Sequence, residues 1–447
     1  MRKKPLPATA IDVETPDDES VEAKVARERN PFKRALLIFG PGVVTGASDD
    51  DPSGIATYAV AGASFGFATL WLALASLPLM ASVQFVSAKV GMVSGTGLAG
   101  VLQKRYSPAI VYPAVLCLAF ANMLNAGADI GAIGAAINLF VPVPIAATVV
   151  PIALGILALQ LFGSYRLIAD TFKWLALALL AYVATAFFVS ANVGDVARGT
   201  LVPTFHLNSE YMATVVAILG TTISPYLWFW QSSQEVDEEI SQGRMTLRSR
   251  QGASGPELMY KAWDVNIGMF FSNLVMYFII FVTAATLFTT GKTDINSATD
   301  AAEALRPLAG DGAKYLLAFG LIGAGLLAVP VLTGSAAYAV SEVFGWRSSL
   351  NERPTRAKPF YAVIVVATLL GLLINFVGIN PIDALFYSAV LNGLLAPPLL
   401  VLIMLASNDE SVMGDRTNNL AVNVLGWLAM VVMAISVVIL IATWVLA

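Results

Sequence analysis

The sequence predicts an all-α membrane protein of eleven transmembrane helices: two inverted five-helix repeats, each opening on a broken helix or carrying one at the matching place, plus one extra helix. Three observations lead there. Of 447 residues, 57% are hydrophobic and only 13% charged, far from the balance of a water-soluble domain of this length. After a polar first segment, apolar stretches recur, each long enough to cross a hydrocarbon core of roughly 30 Å as a helix. Two of them, the first and the sixth, carry Pro and Gly at their middles.

The stretches fall at 35–65, 69–93, 109–139, 144–163, 170–191, 211–232, 264–290, 314–343, 359–378, 382–405 and 420–446. Residues 1–34 are polar and of mixed charge, and read as a disordered cytosolic tail rather than a secretory signal. Residues 35–447 form one transmembrane domain, with repeats at 35–191 and 211–405 and the extra helix at 420–446. With the N-terminus inside, every Lys and Arg except Arg198, Lys292, Arg306 and Lys314 lies on a segment assigned to the cytosol. The positive-inside rule therefore predicts a multi-pass plasma (inner) membrane protein with its N-terminus in the cytoplasm and its C-terminus outside. No basic face suited to nucleic acid remains, because the basic residues are spent on topology. The lone Cys117 can form no intrachain disulfide and is expected as a small buried hydrophobe.

The first stretch reads ALLIFGPGVVTGASDDDPSGIATYAVAGASFG and places Asp49, Asp50 and Asp51 before Pro52 near mid-membrane. The sixth reads YMATVVAILGTTISPYLWFWQSS, with Gly220, Thr221, Thr222, Ser224 and Pro225 at its centre. Proline removes a backbone donor and clashes with the preceding turn, while glycine permits departure from the helix, so both stretches should unwind locally. Unwinding frees carbonyls, and carbonyls beside carboxylates attract a hard cation. Each aspartate costs roughly 2.5–3.5 kcal/mol at the centre of a span on an insertion scale, which packing does not repay.

Several segments resemble the NRAMP divalent-metal transporters. They are GPG-x(8)-DP-x-x with LW at 70–71, QFVSAKVGMVSGTGLA at 84–99, ADIGAIGAAINLF at 128–140, AILGTTISPY at 217–226 and SAVLNGLLAPPLLVLIMLASNDESVMGD at 388–415, in the family's order. The resemblance implies a LeuT-like inverted repeat. In that family the metal is held by Asp and Asn of Asp-Pro-Gly-Asn, by a Met and a nearby carbonyl around Met-Pro-His, and sometimes by a Gln on the tenth helix. Carried over, this gives Asp51 as the carboxylate and Thr221 as the carbonyl donor. Gly54 stands at the Asn position, Ser224 at the Met, Tyr226 at the His and Ala389 at the Gln.

A thioether favours softer transition metals, so Ser224 in its place removes the main discrimination against Mg²⁺. A roomy oxygen site suits a partly hydrated Mg²⁺, which dehydrates reluctantly. The pattern is most like the family's magnesium-transporting branch, with Mn²⁺ expected to pass as well. The metal site is expected at Asp51, Gly54, Thr221, Ser224 and Asp50, with Asp49, Tyr226, Asp129 and Asn392 along the pathway. The family's proton carriers are reduced: the sixth-helix His positions are Tyr226 and Gln231, and Asp129 faces Ala132 where an acidic partner would stand. Uncoupled or weakly coupled import by a monomeric chain without a resident cofactor is therefore expected. The alternative is a proton-coupled Mn²⁺/Fe²⁺ symporter.

Other features read as ordinary. His206 reads as a solvated residue of an outside loop, EVDEE at 235–239 as a cytosolic amphipathic loop, and TDINSATDAAEAL at 293–305 as an external helical loop. An isoprenoid transferase would need Lys or Arg beside its aspartates to hold diphosphate, and none lies between Arg34 and Lys89. An amino-acid transporter of the same architecture would not place three aspartates where its substrate's carboxylate binds.

Overall fold

The computed structural model describes residues 40–163 and 177–446. The expected tail at 1–34 and the start of the fifth stretch lie outside the described residues. In chain order the main helices are α1 (Pro41–Asp49), α2 (Pro52–Phe65), α3 (Trp71–Ser94), α4 (Leu98–Arg105), α5 (Pro108–Asn138) and α6 (Ile145–Phe162). After shorter pieces follow α7 (Ser209–Thr222), α8 (Pro225–Ser241), α9 (Gly255–Thr286), α10 (Ala313–Phe344), α11 (Lys358–Leu372), α12 (Pro381–Ser407) and α13 (Leu420–Leu446). The described residues contain no β-strand.

Among the described residues, nine helices are long and apolar enough to cross a membrane, with α7 and α8 forming one of them. The first expected span is absent from that number because its break leaves pieces of 9 and 14 residues. Of the fifth, the described part holds the short helix Leu180–Thr185.

Both breaks fall where the sequence places them. Pro52 and Pro225 each occupy the first turn of the following half-helix, where a missing N–H is no loss and the fixed φ suits the helix. The linking residues leave helical geometry: Asp51 has φ −69° and ψ 167°, Ser224 φ −82° and ψ 126°.

The broken helices lie at the centre. In the most apolar window of Ser209–Ser241, 94% of residues are buried, against 22% in Leu420–Leu446, so α7 and α8 are wrapped by protein while α13 faces lipid. Close approach rests on small residues. A side chain at Gly46 of α1 or Gly268 of α9 would collide with the opposing backbone, as it would at Gly220 of α7 against α12. These contacts pin one half of each broken helix to an unbroken neighbour.

Two expectations are corrected. Residues 235–239 form no loop: they continue α8, with Glu235, Asp237 and Glu239 buried. Burial is possible because each acid finds a partner. Glu235 pairs with Lys261 at 2.9 Å, Asp237 accepts from Tyr338 at 2.6 Å and Ser349 at 2.9 Å, and Glu239 pairs with Arg244 at 3.2 Å. Cys117 is exposed on α5 rather than buried; on a membrane-spanning helix that surface meets lipid, which a thiol tolerates.

Candidate cation site at the two helix breaks

Asp51 is the N-cap of α2. Its Oδ1 accepts from the Gly54 amide at 2.7 Å and from the Ser53 hydroxyl at 2.7 Å, so the carboxylate answers amides that α2 leaves unpaired. Its Oδ2 accepts from Nδ2 of Asn125 on α5 at 2.9 Å. Asn125 is itself fixed by Ser388 of α12, whose hydroxyl donates to its Oδ1 at 2.6 Å. Three helices thus set the direction of one carboxylate.

Asp49 and Asp50 turn the other way. The Ser272 hydroxyl of α9 hydrogen-bonds Oδ2 of Asp49 and approaches Oδ1 of Asp50 at 3.3 Å. Oδ1 of Asp49 is buried without a hydrogen-bond partner. Among the described residues, no Lys or Arg forms an ion pair with Asp49, Asp50 or Asp51, although all three are buried.

At the second break the hydroxyl of Ser224 donates back to the carbonyls of Gly220 at 2.8 Å and Thr221 at 2.5 Å, covering two of the acceptors that α7 exposes at its end. The Thr221 carbonyl expected to face a cation is therefore shared with Ser224. The two breaks meet at Gly54. A Cβ placed there would lie 3.0 Å from Oγ1 of Thr221, 3.3 Å from Oδ1 of Asp51 and 3.4 Å from the Asp49 carbonyl. The absent side chain is what lets oxygens of both broken helices close in on this point. Tyr226 closes the arrangement, its hydroxyl donating to the Ser48 carbonyl at the end of α1 at 3.1 Å.

Asp129 and Asn392 are buried, and neither bonds another side chain; the Ser53 backbone of α2 is the polar group beside Asp129. Asp129 stands four residues after Asn125 and Asn392 four after Ser388, so each lies one turn along the face that reaches the first break. Among the described residues, no group of three or more His, Cys, Asp and Glu side chains is arranged to hold a metal. A cation here would meet one or two carboxylates, carbonyls, hydroxyls and water.

Some residues of the site gave no sequence signal. Asn125, Ser272 and Ser388 are small polar residues inside apolar stretches. A longer polar chain leads from α1 toward the end of α8. Thr45 donates to Oε1 of Gln231 at 2.6 Å, which also accepts from Gln84 at 3.2 Å, and Gln231 donates to Glu235. Lys261 joins Glu235 to Asp264 at 3.2 Å, and Asp264 accepts from the amides of Gly40, Gly42 and Val43 at 2.8–3.0 Å. This carboxylate of α9 caps the start of α1 in place of any local side chain.

A family model described as natural resistance-associated macrophage protein-like, Nramp, matches residues 42–443. The chain belongs to the Nramp family. Membership makes it a multi-pass membrane transporter of divalent metal ions rather than an enzyme. Among solved structures, the Nramp chain is similar to the Eremococcus coleocola manganese transporter in complex with an aromatic bis-isothiourea compound, at 19% identity and a TM-score of 0.71, covering 96% of this chain and 89% of that one. It is also similar to Mhp1, a nucleobase-cation-symport-1 family transporter in a closed conformation, at 15% identity and a TM-score of 0.56, with 91% of each chain covered. Likeness at these identities is likeness of fold: this Nramp chain has the LeuT-like, all-helical architecture.

Proposed function

We propose that this Nramp chain imports Mg²⁺, and also Mn²⁺, across the cytoplasmic membrane through the space between its two breaks, uncoupled or weakly coupled to protons. The observation that carries the reading is the set of three buried aspartates with no Lys or Arg ion pair among the described residues. Buried negative charge calls for a counter-charge, and a dication supplies it. Asp51 and the Asp49 carbonyl would contact it from the first break and Thr221 from the second, with Asp50 and Asp49 held in reserve by Ser272.

The choice of magnesium rests on donor chemistry. The groups around Gly54 are oxygens, and Ser224 offers a hydroxyl where the family resemblance implies a thioether. Few protein ligands suit an ion that keeps several of its waters. We further propose an N-in, C-out topology, from the distribution of Lys and Arg, and a chain that works as a monomer.

A proton-coupled Mn²⁺/Fe²⁺ symporter is the second reading, favoured by Asp129. That residue is fully buried with no ion pair among the described residues, and a protonated carboxyl is at home in such a place. Proteoliposomes carrying Mg²⁺ and Mn²⁺ indicators and a pH dye separate the two readings. Mg²⁺ entry without acidification, lost in Asp51→Ala, supports the first. Exclusion of Mg²⁺ with joint entry of Mn²⁺ and protons overturns it and selects the second.

A further inference from the structure

Away from the breaks, a cavity of about 620 Å³ lies between α3, α9 and α13. Its charged lining residues are Lys89, Arg416 and Asp415, so positive charge is in excess. Phe85, Met259 and Leu425 form apolar wall, and Met259 is 53% exposed, which places the mouth on the outer surface of the helix bundle.

Lys89 is the informative residue. It is 4% exposed, and its ammonium donates to Oδ1 of Asn418 at 2.5 Å. Among the described residues it pairs with no carboxylate. An ammonium has three protons to donate and a charge to offset, and a neutral amide oxygen answers only part of that demand. Arg416, on the exposed rim, likewise forms no ion pair among the described residues. At 1.5 Å per residue, Lys89 stands about 27 Å along α3 from Trp71, close to the full thickness of a bilayer core of roughly 30 Å. That is the depth of lipid head groups.

We propose that this cavity binds the phosphate head group of an anionic glycerophospholipid. Lys89 contacts the phosphate from within the wall and Arg416 from the rim, and the acyl chains run outward along Phe85, Met259 and Leu425. Charge, depth and a lateral apolar mouth favour a membrane lipid over free phosphate, which would need no apolar wall. The bound lipid would bridge α3 to α13, the least covered by protein among the described membrane-length helices.

The test is native mass spectrometry of the full chain after delipidation, titrated separately with phosphatidylglycerol, phosphatidylcholine and inorganic phosphate. Wild type is expected to retain phosphatidylglycerol over phosphatidylcholine, and each basic residue removed should weaken retention about fivefold. Arg416→Gln is exposed and unpaired, so its fold is safe even if Lys89→Met disturbs α3. Equal retention of the two lipids, unchanged retention in Arg416→Gln, or displacement of lipid by inorganic phosphate would each overturn the proposal.

Discussion

Asp51 both caps a helix and is expected to meet the transported ion, and two substitutions separate these roles. Asp51→Ala removes the cap of α2, worth about 1 kcal/mol. It also strands Nδ2 of Asn125, now bonded at 2.9 Å, and an unsatisfied buried donor costs about 1–3 kcal/mol. The expected loss of stability is about 2–4 kcal/mol. Asp51→Asn keeps an oxygen for the Gly54 amide and the Ser53 hydroxyl. Its new NH₂ group faces Asn125, whose amide can flip. Ser388 permits the flip because its hydroxyl can keep donating to the Leu385 carbonyl at 2.7 Å while accepting from Asn125. The fold should therefore lose less than about 1 kcal/mol. The charge is nonetheless gone, and initial Mg²⁺ uptake should fall at least about tenfold, equivalent to about 1.4 kcal/mol. Thermal unfolding followed by size exclusion gives the first quantity and liposome uptake the second. If Asp51→Asn transports within about twofold of wild type while Asp51→Ala fails only as far as it unfolds, Asp51 is a cap and not a ligand.

Asp264→Ala should destabilise the protein by about 3–5 kcal/mol in chemical or thermal unfolding, because three amides at the start of α1 lose their acceptor and Lys261 loses one of its buried partners. Gly46→Ala forces α1 off the Gly268 backbone and should cost about 1–3 kcal/mol, whereas Gly155→Ala on α6 meets nothing within 4 Å and should be neutral or stabilise by up to about 1 kcal/mol; equal effects would contradict the packing described. The loop at 293–303 should loosen in acid. Burial pushes the Asp300 carboxyl up, but Lys292, the Ser297 hydroxyl and the Asn296 amide outweigh it and hold it below the usual range. Its contribution is thus complete above the ordinary Asp value of about 3.9 and lost as pH falls through the lower folded value. Lys292, raised by its hydrogen bond to Asp300, keeps its share at every lower pH until that partner protonates. The pair is worth about 0–1 kcal/mol, so amide exchange at 293–303, corrected for its intrinsic rate, should quicken modestly below about pH 4; constant protection would count against the pairing.

The breaks were legible because proline and glycine act through the backbone alone: Pro52 and Pro225 dictate the start of a half-helix whatever surrounds them. The cap at Asp51 could have been read from Asp-Pro-Ser-Gly, an acidic residue before a proline that opens a helix. Its other partners could not. Asn125 lies 74 residues away and Ser272, on Asp49, 223 away, and no periodicity in an apolar helix says which small polar side chain will face a cavity. The burial of the acids of α8 is hidden from the sequence for a related reason. A run of carboxylates signals solvent unless one knows that Lys261, Tyr338 and Ser349 converge on it, and that convergence exists only in three dimensions.

The bond from the Tyr226 hydroxyl to the Ser48 carbonyl makes the two discontinuities a single joint. Swinging α1 away from α8 breaks that bond and bares a peptide oxygen at mid-membrane. The oxygen must then be served by water or by a cation. Opening and wetting of the passage are therefore one event, and a dry, half-open protein is the arrangement this hydroxyl forbids.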